Sequence, residues 1–150
     1  MQTSLVLEAS TGAVRLAPGG ASLRAGCDES QASAALGPLV VTTIDHGNGY
    51  RWLQCKGLTL FSMPCGIGFC FDHGALRELH FGVALPGAVL EDGWPTRAAI
   101  DQEIAFMREH LGRVFARSFR TGREEFSWGV VWSAFDQKGY QASSGLRYRA

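Results

Sequence analysis

Charge is scarce in this chain. Lys, Arg, Asp and Glu make up 19% of its 150 residues, and 14 cations cancel 14 anions. Zero net charge argues against a general polyanion binder, because nucleic-acid affinity rests largely on neutralising phosphates with Lys and Arg. Long apolar runs are also missing. No stretch approaches the ~18 apolar residues of a bilayer-spanning helix, so no membrane span is expected. The opening Met1-Gln2-Thr3-Ser4-Leu5-Val6-Leu7-Glu8 lacks the basic region and long apolar region of a secretory signal, which leads to an expectation of a cytoplasmic protein. Proline is sparse at five residues, against nineteen Gly, a balance suited to many tight turns and antiparallel sheet. What is abundant is apolar: a hydrophobic content of 46% excludes extended disorder, and the length suits one domain.

The pattern along the chain is that of strands, with helices in two places. Ser4–Leu7 and Ala13–Leu16 are short apolar runs joined by Ala9-Ser10-Thr11-Gly12, an opening hairpin. Leu23 to Pro38 reads as a short helix capped by Asp28, with Gln31 at the capping-box position and Gly37-Pro38 as the stop. Ala32, Ala35 and Leu36 form its buried stripe. Leu39–Ile44 and Tyr50–Leu60 are extended runs about a His46–Gly49 turn. Ile67, Phe69 and Phe71 then alternate with Gly68 and Cys70, and after Asp72-His73-Gly74 the residues Leu79, Phe81, Val83 and Leu85 share one face of a return strand. Pro86–Gly93 reads as a loop. Thr96 caps the strongest helix, Arg97 to Leu111, with Ile100, Ile104, Met107 and Leu111 at helical spacing and Gly112 at its end. In the last hairpin Phe126, Trp128, Val130 and Trp132 are expected on one face, with Trp128 and Trp132 in the core, and Asp136–Gly139 as a type I turn. Tight turns in place of crossover helices predict an α+β fold: a mainly antiparallel sheet of hairpins, one short and one long helix packed on one face, in a single domain over 1–150.

Little in this pattern carries reaction chemistry. Cys65 and Cys70 are spaced C-x4-C and have opposite parity on one strand, which weakens a zinc reading with His73 and His80. Four histidines (His46, His73, His80, His110) make a Cys–His nucleophile arithmetically possible, but no local motif supports one. The four cysteines (Cys27, Cys55, Cys65, Cys70) are expected as free thiols in a reducing compartment. Gly66-Ile67-Gly68 and Gly19-Gly20 lack the following helix of a phosphate loop, and Ser127 and Ser133 lack a nucleophile elbow. No cofactor is expected.

Charge is distributed unevenly. Up to Ile104 there are 6 Lys+Arg against 10 Asp+Glu, a net of −4; from Ala105 onward there are 8 against 4, a net of +4. Arg108, Arg113, Arg117, Arg120 and Arg123 are interleaved with Phe115 and Phe119. Such a run is a solvated helix end favoured by the helix dipole, or a grip on an acidic protein surface or on RNA. Trp94-Pro95 opens the long helix, either stapling the loop to the sheet or, if exposed, serving as a binding anchor.

The stretch Leu23–Gln31 through Leu36-Gly37, followed by Tyr50-Arg51-Trp52, resembles the short helix and sheet of β-lactamase-inhibitory-protein-like domains, a pattern also shared by small outer-membrane-assembly lipoproteins. The C-terminal half is similar to small bacterial proteins of unassigned function, some of which look like immunity partners of secreted toxins. Its residues are Trp94-Pro95, the helix, Phe126–Gly139 and Arg147-Tyr148. The resemblance implies a non-enzymatic protein that binds a cognate toxin. Trp94, Arg113, Arg117 and Arg120 are its expected contacts. Two alternatives stand beside it: a small thiol- or metal-dependent hydrolase using Cys65 or Cys70 with His73 or His80, and a ligand-binding or assembly module. Homo-oligomerisation is left open.

Overall fold

In the computed structural model, which describes residues 2–149, the chain runs β1 (Thr3–Leu7), β2 (Val14–Ala17), β3 (Ser22–Leu23), α1 (Glu29–Leu36), β4 (Val40–Asp45), β5 (Tyr50–Leu60), β6 (Met63–Asp72), β7 (Ala75–Val83), β8 (Leu90–Glu91), β9 (Trp94–Pro95), α2 (Arg97–Phe115), β10 (Arg123–Phe126), β11 (Gly129–Asp136) and β12 (Gln141–Tyr148). One sheet has the order β10-β11-β12-β7-β6-β5-β1-β2-β3, with β4 also paired to β5. The small β8–β9 ribbon stands apart. Every pairing in the large sheet is antiparallel except β1 with β5, where Thr3–Leu5 run parallel to Leu58–Leu60. The expected α+β architecture is therefore present, with this one parallel exception.

A bulge lets β5 serve two neighbours. Cys55 pairs with Ile67 but Leu58 pairs with Cys65, so the Lys56-Gly57 segment carries one residue too many for its partner. Gly57 absorbs it at φ +82°, a conformation that a side chain disfavours. On one side of the bulge β5 takes β4; on the other it takes β1.

The face of the sheet towards the helices carries the core. Leu53, Ile67, Phe69, Phe71, Leu79, Phe81, Val131 and Leu146 are buried there, together with Met107, Leu111 and Phe115 of α2 and Ala32 and Leu36 of α1. Each large side chain fully removed from water contributes about 1.5–3 kcal/mol. α1 adds little area because only Ala32 and Leu36 of it are buried; Ala35, expected in its buried stripe, is exposed. The N-terminal hairpin locks onto the far end of the sheet: Tyr148 Oη donates to Gly12 O at 2.7 Å and Trp128 Nε1 donates to Ala9 O at 3.1 Å. Gly12, at φ +71°, has no alternative, since a Cβ there would lie 2.4 Å from the Trp128 ring.

Several local expectations need correction. Phe126 pairs with Gly129, so Ser127-Trp128 is a turn that resets the alternation. Phe126 and Trp128 pack on the core edge, Val131 and Ser133 point inward, and Trp132 faces outward instead of into the core. α2 does not stop at Gly112. It continues to Phe115, 6% exposed, because that side chain extends the buried stripe one turn beyond Leu111. Ala116 takes the left-handed cap at φ +54°, and Gly112 instead makes room for Arg117 O, which would lie 2.8 Å from a Cβ. The first helix begins only at Glu29, after β3, and the Asp28 side chain bonds Ser30 Oγ with no cap bond to the backbone. The Pro86–Gly93 loop contains the β8 strand.

Candidate functional site

Both helices contribute to the core on one face of the sheet, and the opposite face is open. Pairing register sets two rows of residues across it. Gln54, Gly68, His80, Gly145, Trp132 and Arg123 stand side by side on six strands. The neighbouring row is Trp52, Cys70, Glu78, Arg147, Val130 and Glu125. Glycine beside tryptophan shapes the surface. A Cβ at Gly68 would meet the Trp52 ring at 3.1 Å, and one at Gly145 would meet the Trp132 ring at 2.8 Å, so each indole lies over a neighbour without a side chain.

His80 stands between the indoles. Its ring centroid lies 4.8 Å from that of Trp52 and 5.5 Å from that of Trp132. Trp132 Nε1 donates to Ser143 Oγ at 3.1 Å, His80 Nε2 bonds the Glu78 carboxylate, and Arg147 Nε donates to the other Glu78 oxygen at 2.5 Å. The Glu78 side chain is only 13% exposed. Burial alone would raise its pKa, but the bonds from His80 and Arg147 outweigh burial and hold it below the ordinary glutamate value. Hydrogen bonds thus hold His80 and Trp132 in place, and Trp52 packs against the His80 ring.

Among the depressions that the described residues leave, three adjoin across the centre of this face. The first, about 450 Å³, has Gly66, Gly68 and Gly82 in its floor and Val41, Ile44, Trp52 and His80 in its walls. It is cut where the sheet splays, because β12 pairs with β7 only over Gly145–Arg147. Beyond the splay Glu103 of α2 reaches β7. Burial raises its pKa, partly offset by the Val83 N–H that donates to it. The second depression, about 370 Å³, lies between Trp52, Glu78 and Arg147 and includes His46 and Tyr50. The third, about 210 Å³, is lined by Arg77, Arg123, Arg147 and Arg149 with Glu125. On the rim, Val41 and Ile44 are 56% and 40% exposed although both are apolar.

No protein-family model matches this chain, and no curated protein matches its sequence. A chain from the solved complex of Rhs1-CT with its cognate immunity protein RhsI1 is similar to it, with a TM-score of 0.49 and 11% identity over 98% of this chain and 87% of that one. This is a similarity of outline.

The residues singled out by sequence do not form one patch. Trp94, 68% exposed, sits in β9 just before α2, whereas Arg113, Arg117 and Arg120 lie at or beyond the helix's other end. A helix of 19 residues separates them by about 27 Å. Arg113 pairs with Glu109 one turn back at 2.5 Å. Arg117 clamps β10: it donates to Glu125 O at 2.5 Å, lies 3.6 Å from Glu124, and stacks 4.1 Å over the Phe126 ring. Arg120 is exposed, and its carbonyl accepts from Arg108.

The thiols are not activated. Burial pushes Cys55 to about 11, Cys65 to about 12 and Cys70 to about 11, away from the lowered values of nucleophilic cysteines. Cys65 faces the core, Cys70 the open side beneath Trp52, and His73 bonds Asp72 at 2.5 Å on an exposed turn. No cysteine–histidine hydrogen bond and no group of three or more metal-ligating side chains occurs among the described residues. Nor, among those residues, is any helix long and apolar enough to cross a membrane. Sequence reasoning missed the Trp52–His80–Trp132 centre and the convergence of Arg77 with Arg147. The one available signal was the Trp52–Gly68 and Trp132–Gly145 complementarity, which has meaning only once the register is known.

Proposed function

We propose that this chain is a non-enzymatic, single-domain binding protein that acts as an immunity protein in the bacterial cytoplasm, neutralising a cognate toxin by covering its active site. The observation that carries the reading is the open sheet face with its pre-set Trp52–His80–Trp132 centre. A solvent-facing sheet surface is ordinarily polar. Here two tryptophans and the exposed Val41 and Ile44 stand over a glycine floor, inside a rim of Lys56, His46, Glu78 and Arg147. Apolar anchors at the centre with charge at the edge match the anatomy of protein interfaces, in which Trp, Tyr and Arg dominate the energy. Inhibition by occlusion requires no reaction, only a rigid surface and charges that speed encounter.

Co-expression with the products of neighbouring genes tests the reading. The expected result is that one product arrests growth, that this chain restores growth, and that the two co-purify. Trp52→Ala and Trp132→Ala should each weaken binding by about 30-fold or more, the scale of an interface hot spot. If no neighbouring product is toxic and no partner co-purifies, the reading fails. Trp94 and the group Arg113, Arg117 and Arg120 are proposed as two further, separate contact points. Alanine variants of each, in the same binding assay, would sort them from the sheet face.

A further inference from the structure

We infer that the arginine end of the open face is a recognition site for clustered carboxylates on a protein partner; this rests on reading that face as protein-binding and specifies the chemistry it takes. Arg77 from β7, Arg123 from β10, Arg147 from β12 and Arg149 just beyond it come from distant parts of the sequence and line one depression of about 210 Å³. Three already have partners: Arg147 is bonded to Glu78, Arg149 to Phe126 O at 3.3 Å, and Arg123 lies 3.9 Å from the Glu125 carboxylate. Guanidinium forks match planar oxyanions, and pre-positioned ones lose little freedom on binding.

The surroundings decide between kinds of anion. Glu125 lies within the depression and Glu78 at its border, so fixed negative charge interrupts the arginines. A continuous phosphate backbone would meet these carboxylates, and the chain has no net positive charge to compensate. Separate acidic side chains can step around them. Next to the arginines the face turns aromatic and apolar, through Trp52 to Ile44 and Val41. The surface therefore fits a partner segment with acidic residues at one end and apolar residues at the other.

The test uses the full chain and two capped synthetic peptides, Leu-Leu-Gly-Glu-Glu-Glu and Leu-Leu-Gly-Gln-Gln-Gln, with a decathymidine strand as the nucleic-acid probe. Binding is followed by calorimetry and by NMR of the arginine side-chain N–H groups. The glutamate peptide should bind, shift the Arg77 and Arg123 signals, and weaken as salt is raised. The Arg77→Gln/Arg123→Gln variant, which leaves the Glu78–Arg147 pair intact, should bind it about tenfold more weakly with an unchanged amide spectrum. Equal binding of the glutamine peptide, equal binding by the variant, absence of glutamate-peptide binding, or tighter binding of decathymidine would each overturn the inference. Because the probes need no toxin, a chain that passes this test but protects against no neighbouring product would retain the carboxylate site and lose the immunity reading.

Discussion

Gly145 illustrates how one atom's absence builds the open face. A Cβ there would lie 2.3 Å from Leu79 O and 2.8 Å from the Trp132 ring, and the carbonyl cannot move without breaking the β7–β12 pairing. Gly145→Ala should therefore cost about 2 kcal/mol or more in denaturant unfolding, the range of overpacked sites, and should shift Trp132 fluorescence in the folded state. Glu103 makes a pH-dependent prediction. Its folded pKa is raised, chiefly by burial, so the folded chain holds the proton more tightly than the unfolded one. Its contribution to stability is present at low pH and is lost as pH rises from the ordinary carboxylate range through the folded value. Glu103→Gln should remove that decline and stabilise the protein at neutral pH, as measured by melting temperature across pH 4 to about 7. Glu78 works the other way: its lowered pKa adds stability above the ordinary range and withdraws it as pH falls. Cys55, Cys65 and Cys70 should resist a thiol reagent at pH about 8 until the chain is unfolded, since burial keeps them protonated there.

Among the elements, α2 was readable at one end and misread at the other. Thr96 Oγ1 accepts from Ala99 N at 3.2 Å, as its position before the apolar stripe predicted, and Thr96→Ala should cost about 1 kcal/mol in chemical denaturation. At the far end Gly112 looked like the natural stop, yet Phe115 carries the helical spacing one step further and finds Phe119, Phe126 and Trp128 around it. Packing outweighed the glycine signal. The resulting cap is an alanine in the left-handed region, φ +54° and ψ +45°, so Ala116→Gly should stabilise the protein by about 1 kcal/mol, which a denaturation midpoint would reveal. The β6–β7 hairpin was legible where Ile67 and Phe69 face Phe81 and Leu79, but not at its turn end, where a bulge pairs Phe71 with Leu76 and leaves Arg77 out of the alternation, nor at Leu85, which lies beyond β7. In the last hairpin the Ser127-Trp128 turn cut an apparently continuous alternation, and every later residue changed face. A shift of one position is enough for that, since the side-chain period in a strand is 2.

At the scale of the whole molecule, the open face joins residues that no local pattern connects. Trp52, His80 and Trp132 belong to three strands, and Arg77 meets Arg147 only because β7 pairs with β12. The charge imbalance between the two halves of the chain pointed to Arg113, Arg117 and Arg120, but in space the arginine-lined depression draws on both halves. What depends on neighbours along the chain was written in the residue order: apolar residues at period 2 or 3.6 made the hairpins and the long helix, and tight turns made the sheet mainly antiparallel. Which side of each strand meets the helices, where β5 forks between β1 and β4, and which side chains share the exposed surface were set by the assembled fold. Those outcomes follow from register, and register is chosen by the combined burial of several strands at once, so no single segment contains it.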